Sequence, residues 1–129
     1  MNGEKEQIML RILVVDDCLF SSSILVNSLK KNGYEKIFQA LDSYQAVAVY
    51  KEQKPDLIIL DVSMPNRVGM ETLKSIIAYD NSANVLMMST MGQEETILKC
   101  IKMGVKDFIV KPFKIDRFIK VVDKMLEGA

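Results

Sequence analysis

The sequence predicts an α/β fold in which five parallel strands form one doubly wound sheet, with the element order (βα)5. Three observations support this prediction. Short apolar segments alternate with segments whose apolar residues recur at helical spacing along the whole chain. The apolar segments show no in–out alternation, which is typical of strands buried on both faces of a sheet. A helix-length connection separates each strand from the next, as parallel pairing requires.

The five predicted strands are short runs of apolar, often β-branched residues. In chain order they cover residues 11–15, 36–40, 57–60, 84–88 and 107–110. The third run, "LIIL", leads directly into Asp61. An unpaired carboxylate at the end of a buried strand is costly, so Asp61 requires an explanation.

Between and after the strands, apolar residues recur every three or four positions, which predicts five helices. They cover residues 18–32, 43 to about 54, 69–79, 93–103 and about 115–125. Gly33 and Gly104 follow two of these helices, where glycine is favoured, and Ser43 is the predicted N-cap of the second. No repeat or linker interrupts the pattern. We therefore expect one domain over residues 1–129, with its core at about 9–127.

Composition excludes several classes of function. Lys and Arg (17) balance Asp and Glu (17), so net charge gives no reason to expect general attraction to nucleic acid or membranes. The chain has no histidine, which excludes histidine metal sites, Ser-His-Asp triads and histidine bases within it. Neither a signal peptide nor a membrane-spanning apolar run is visible, so we expect a cytoplasmic protein. Cys18 and Cys100 are expected to be buried thiols, and acidic neighbours are expected to raise the pKa of Cys18.

Polar residues follow four of the five predicted strands. They are Asp16 and Asp17, Asp61, Ser89 and Thr90, and Lys111 with Pro112. The carboxyl ends of parallel strands share one edge of a sheet, where α/β proteins bind their ligands. We therefore expect these side chains to form an acidic pocket that faces a lysine.

Three carboxylates in one pocket repel each other, by about 4 kcal/mol per pair at ~4 Å in an effective dielectric of ~20. Either one carboxyl stays protonated or a cation binds them. Because the donors are all oxygen, a hard cation is favoured, and Mg²⁺ fits best. A carboxylate nucleophile, a metal, a hydroxyl and an ammonium group are the components of phosphoryl transfer.

These residues resemble the receiver domain of two-component response regulators over about residues 9–127. The matching motifs are "LVVDD", "PDLIILDVSMP", "VLMMST" and "KDFIVKPF". The segment "MGQEETILKCIKMGVKDFIVKPF" is similar to free-standing, CheY-like chemotaxis regulators. The resemblance implies a flavodoxin-like strand order, 2-1-3-4-5.

The resemblance also implies a role for each site residue. Asp61 would be the phosphoacceptor and Lys111 would contact the phosphoryl group. Ser89 would be the switch hydroxyl and Phe108 the aromatic switch. Mg²⁺ would be bound by Asp16, Asp17, Asp61 and the backbone carbonyl of Ser63. The Lys111–Pro112 bond is often cis in this family.

The partner that the resemblance implies is a histidine kinase or a histidine phosphotransfer protein. A downstream protein would bind the face formed by the fourth helix, fifth strand and fifth helix, in chemotaxis if the CheY-like segment is informative. We expect a monomer that binds no nucleic acid or membrane and is no enzyme, beyond assisting its own phosphorylation and dephosphorylation. Because the chain ends soon after the fifth helix, a stand-alone regulator is favoured. The alternative is the receiver of a larger transcriptional regulator or hybrid histidine kinase.

Two other classes of protein fit less well. An aspartyl phosphatase would have its carboxylates two residues apart and a longer chain, whereas Asp16 and Asp17 are adjacent. A flavin mononucleotide binder would have a phosphate loop rich in Ser, Thr and Gly after the first strand. The segment "DDCLFSSS" places acidic residues there first.

Overall fold

The computed structural model describes residues 7–62 and 68–127. Five parallel strands form one sheet in the order β2-β1-β3-β4-β5, with helices between them, so the predicted fold class and strand order are confirmed. The strands are β1 (Arg11–Val15), β2 (Lys36–Ala40), β3 (Leu57–Asp61), β4 (Val85–Thr90) and β5 (Asp107–Lys111). The helices are α1 (Leu19–Lys31), α2 (Ser43–Gln53), α3 (Val68–Tyr79), α4 (Glu94–Met103) and α5 (Ile115–Met125). Among the described residues, no helix is both long enough and apolar enough to span a membrane.

The core consists of two layers, one on each face of the sheet. Alternate residues of β1 serve opposite layers: Ile12 and Val14 pack with α1 and α5, whereas Leu13 and Val15 pack with α2, α3 and α4. Burial of a large aliphatic side chain contributes about 1.5–3 kcal/mol, so the apolar strands account for much of the folding free energy. They also hold the carboxyl ends of the strands in fixed positions.

Three strands extend one or two residues beyond their apolar runs. Asp61 is the last residue of β3 and pairs with Met88. Thr90 and Lys111 pair with each other at the ends of β4 and β5. Backbone pairing, and not apolarity, decides where a strand ends. The polar residues therefore belong to the sheet itself and share its rigidity.

The predictions for the helix ends are confirmed in part. Gly33 (φ 98°) lies just after α1, and Gly104 (φ 115°) ends α4 in the left-handed region, as predicted. The predicted N-cap of α2 is wrong by one residue. Asp42 is the cap, since its carboxylate accepts a hydrogen bond from the Gln45 N–H at 2.8 Å, and Ser43 is the first helical residue.

The expectation for the cysteines is wrong for one of the two. Cys100 is buried, and burial raises its pKa. Cys18 is exposed at the start of α1. Hydrogen bonds from the backbone and hydroxyl of Ser21 lower the Cys18 pKa, and they outweigh the opposing effect of the Asp16 charge.

Candidate functional site

Asp61 and Lys111 form an ion pair at the carboxyl edge of the sheet. The Lys111 Nζ donates to Asp61 Oδ2 at 2.5 Å. The Asp61 side chain is almost fully buried, at 4% exposure, whereas that of Lys111 is 30% exposed. Because β3 lies between β1 and β4, the carboxylate is fixed at the centre of this edge. The lysine reaches it from β5, two strands away.

Asp16 follows β1 directly and is buried, with 1% of its surface exposed. Its Oδ1 accepts a hydrogen bond from the Cys18 N–H at 2.9 Å, whereas its buried Oδ2 has no hydrogen-bond partner in the described part of the chain. Desolvation raises the Asp16 pKa, and the negative charge of Asp61 raises it further. Asp17, the next residue, is exposed.

Ser89 supplies a hydroxyl group at the same edge. The residue is fully buried in β4, one position beyond the Met88 that pairs with Asp61. Its Oγ is the second buried side-chain atom in residues 7–62 and 68–127 that lacks a hydrogen-bond partner. A buried hydroxyl without a partner is uncommon in a folded protein and is therefore a candidate donor to a bound group.

Four groups thus lie at one edge of the sheet. They are the ion-paired Asp61 carboxylate and Lys111 ammonium, and the Asp16 carboxylate and Ser89 hydroxyl, each of which has a buried oxygen atom without a hydrogen-bond partner in the described residues. A family model described as a response regulator receiver domain matches residues 12–123. The chain belongs to the response regulator receiver family. Receiver domains are signalling phosphoacceptors of two-component systems, and this one is CheY-like.

The individual relatives of this receiver are consistent with that assignment. The chemotaxis protein CheY of Listeria monocytogenes is 43% identical over 116 residues, which cover 90% of this chain and 98% of that protein. The solved receiver domain of NtrX from Brucella abortus is 34% identical with a TM-score of 0.83, covering 92% of this chain and 99% of that one. A chain of the CheX–CheY–BeF3–Mg complex from Borrelia burgdorferi is 32% identical with a TM-score of 0.81, covering 89% and 87% respectively.

The residues of this receiver are compatible with Mg²⁺. In residues 7–62 and 68–127, no three Asp, Glu or Cys side chains form a group that could hold a metal ion by themselves. Mg²⁺ does not need such a cage, because proteins bind it through one or two carboxylates together with water and phosphate oxygens. The unsatisfied Oδ2 of Asp16 is an oxygen donor of the required kind, close enough to Asp61 for the two charges to interact.

The remaining predicted residues of the receiver lie in three different settings. Phe108 is half-buried and packs against the core layer of α2, α3 and α4. The Lys111–Pro112 bond is cis, as the resemblance implied. Ser63, whose backbone carbonyl was predicted to bind the metal, lies outside the described residues.

Gly69 is a further residue at this edge that no sequence motif indicated. Gly69 lies in the first turn of α3, where an added Cβ would contact the backbone carbonyl of Asp61 and lie 2.7 Å from the Val62 Cα. The first turn of α3 therefore packs directly against the backbone at the end of β3. A glycine between a strand and a helix was visible in the sequence, but the distance of this contact was not.

Proposed function

We propose that Asp61 accepts a phosphoryl group from a phosphohistidine on a histidine kinase or a histidine phosphotransfer protein. The observation that carries this proposal is the buried Asp61 carboxylate, held at the end of β3 in contact with the Lys111 ammonium group. A structural ion pair alone would leave the unsatisfied oxygens of Asp16 and Ser89 unexplained. A phosphoryl group on Asp61 gives both Ser89 and Lys111 an acceptor.

In the proposed reaction, an Asp61 carboxylate oxygen attacks the phosphorus atom. The new O–P bond forms as the N–P bond to the histidine breaks, and the electron pair of that bond remains on the imidazole nitrogen. The Lys111 ammonium, released from its contact with the carboxylate, binds a phosphoryl oxygen. The Ser89 hydroxyl donates to another phosphoryl oxygen.

Asp16, Asp17, Asp61 and the backbone carbonyl of Ser63 are the groups that would hold Mg²⁺. The ion supplies positive charge that offsets the negative charge of the carboxylates and the phosphoryl oxygens. The buried and already destabilised charge of Asp16 supports this part of the proposal, because a cation lowers the cost of that charge.

The proposed output is a change on the surface of α4, β5 and α5. Movement of Ser89 towards the phosphoryl group would change the packing of Phe108, which lies in the adjacent strand under α4. Leu98 and Ile101 are exposed on α4, with exposures of 59% and 44%, and provide apolar area for a protein partner. We propose chemotaxis as the pathway, by similarity to the CheY relatives.

The test is phosphorylation of the full chain with acetyl phosphate and Mg²⁺, followed by intact-mass analysis. Wild type should gain one acid-labile phosphoryl group, and Asp61→Asn should gain none because the amide is not a nucleophile at this site. Asp56→Asn is a matched control, since it changes an aspartate at the opposite end of the same strand. Failure of wild type to label, or equal labelling of Asp61→Asn, would refute the proposed role of Asp61.

A further inference from the structure

A glutamine side chain holds the end of β4. The Oε1 atom of Gln93 accepts a hydrogen bond from the Thr90 N–H at 2.8 Å and another from the Thr90 hydroxyl at 2.9 Å. The backbone carbonyl of Gln93 accepts from the Ile97 N–H at 2.9 Å, the first hydrogen bond of α4. Gln93 therefore connects the last residue of β4 to the first turn of α4.

The residue that Gln93 holds is adjacent to two groups of the phosphorylation site. Thr90 follows Ser89 in the chain and pairs with Lys111 across the sheet. The Ser89 hydroxyl makes no hydrogen bond within the described part of the chain, so no hydrogen bond of that hydroxyl fixes its position. Its position depends on the backbone of β4, which is anchored by β5 on one side and by Gln93 at its end.

We propose that Gln93 is a positioning residue for phosphoryl transfer, which fixes the end of β4 and with it the Ser89 hydroxyl beside Lys111. This inference depends on the proposed function of Asp61. Without the Gln93 carboxamide, the strand end samples more positions, and the phosphoryl group must order it on binding. A hydrogen bond of this kind has a small net effect, so we expect an affinity loss of about threefold to tenfold.

The chain contains a matched control for this contact. After β2, the Oε1 atom of Gln45 accepts a hydrogen bond from the Leu41 N–H at 2.9 Å. This second glutamine also holds the backbone just beyond a strand, but β2 carries none of the proposed site residues. Replacement of either glutamine by methionine keeps the side-chain length and removes the carbonyl acceptor.

The experiment is a calorimetric titration of beryllofluoride, a mimic of the phosphoryl group, into the full chain with saturating Mg²⁺. Gln93→Met should bind the mimic about threefold to tenfold more weakly than wild type, and Gln45→Met should bind it within about twofold. Titration of Mg²⁺ alone should give the same affinity in all three proteins, because none of the proposed metal ligands belongs to β4 or α4. A general loss of structure would weaken both titrations.

Thr90→Val provides a second, milder test. It removes the hydroxyl hydrogen bond to Gln93 and keeps the one from the Thr90 N–H, so we expect a loss of about twofold to threefold. Wild-type affinity in both Gln93→Met and Thr90→Val would overturn the inference while the function of Asp61 stands. If wild type itself bound no beryllofluoride and gained no phosphate, the proposed function would fail and the inference with it.

Discussion

Polar side chains at the carboxyl and amino edges of the sheet differ in their hydrogen bonding. At the carboxyl edge, Asp16 Oδ2 and Ser89 Oγ are buried without hydrogen-bond partners in the described residues. At the amino edge, the partly buried side chains of Asp56 and Asn84 form hydrogen bonds. Asp56 accepts from the Arg11 N–H at 2.9 Å, and the Asn84 amide donates to the carbonyls of Asp56 and Met125 at 3.2 and 3.1 Å.

A buried polar atom without a hydrogen-bond partner lowers folding stability by about 1–3 kcal/mol, so the carboxyl edge destabilises the fold locally. Among the described residues of the amino edge, no buried side-chain atom lacks a hydrogen-bond partner. The hydrogen bonds there connect β1, the residue before β3 and the end of α5. In natural proteins, violations of polar satisfaction are concentrated at functional sites. The contrast therefore supports the proposed site at the carboxyl edge, whereas the hydrogen bonds of the amino edge stabilise the fold.

The largest predicted effect concerns the packing of α3 against the carboxyl edge. In Gly69→Ala, the new Cβ would overlap the backbone of Asp61 and Val62, so either β3 or α3 must shift. We expect a loss of about 3 kcal/mol in the free energy of unfolding, measured with urea. Because the shift displaces Asp61, the proposed phosphoacceptor, labelling by acetyl phosphate should slow by about tenfold or more.

Gly92→Ala is the control for this change. Gly92 has a φ of 90°, but an added Cβ would meet no atom within 4 Å. The free energy of unfolding of Gly92→Ala is then expected to fall by only about 1 kcal/mol, from backbone strain alone. If Gly69→Ala were as stable and as rapidly labelled as Gly92→Ala, the close packing of α3 on Asp61 would be refuted.

The next predictions concern an Asp→Asn substitution at each edge of the sheet. Both changes in the free energy of unfolding are smaller than that of Gly69→Ala, and they are opposite in sign. Asp16→Asn removes a charge whose burial is unfavourable and keeps an oxygen for the Cys18 N–H, so the free energy of unfolding should rise by about 1 kcal/mol. Asp56→Asn weakens the hydrogen bond that the Arg11 N–H donates to Asp56, so the free energy of unfolding should fall by up to about 1 kcal/mol. Thermal and urea unfolding at neutral pH measure both.

The gain in stability for Asp16→Asn should accompany a loss of Mg²⁺-dependent labelling, whereas Asp56→Asn should label normally. A decrease in stability for Asp16→Asn would mean that its buried carboxylate is satisfied in solution. That result would remove the contrast between the two edges.

Most of the fold and part of the site were predictable from the sequence. Continuous apolar strands fix a parallel sheet, and a parallel sheet brings the polar residues that follow its strands to one edge. Asp61 and Lys111 were predicted to meet for that reason, and they do. Their roles in phosphorylation remain predictions.

Close contacts between the ends of different elements were not predictable. The contact of Gly69 with β3 and the hydrogen bonds of Gln93 to Thr90 depend on atomic positions to within about an ångström, which residue type alone does not encode. The same limit explains the error at Asp42. Both Asp42 and Ser43 are good N-caps by type, and the backbone conformation selects between them.

The smallest predicted effect is a pH dependence at the amino edge. The Tyr50 hydroxyl donates to Asp80 Oδ2 at 2.8 Å, and this bond, with those from Ser82, lowers the Asp80 pKa from its ordinary value of 3.8. A carboxyl whose pKa is lowered by folding stabilises the protein fully above its unfolded pKa. That contribution is lost as the pH falls through the folded value.

Tyr50→Phe should therefore lower the free energy of unfolding by less than about 1 kcal/mol at neutral pH, because Asp80 is partly exposed to solvent. The difference from wild type should shrink as the pH falls below 3.8 and through the lowered Asp80 pKa of wild type, because protonation then removes the Asp80 charge in both proteins. Tyr79→Phe is the control, because the centroid of the Tyr79 ring lies 6.2 Å from that of Tyr50, and it should show no such trend. An equal deficit for Tyr50→Phe at neutral and acid pH would show that the hydroxyl stabilises the amino edge independently of the Asp80 charge.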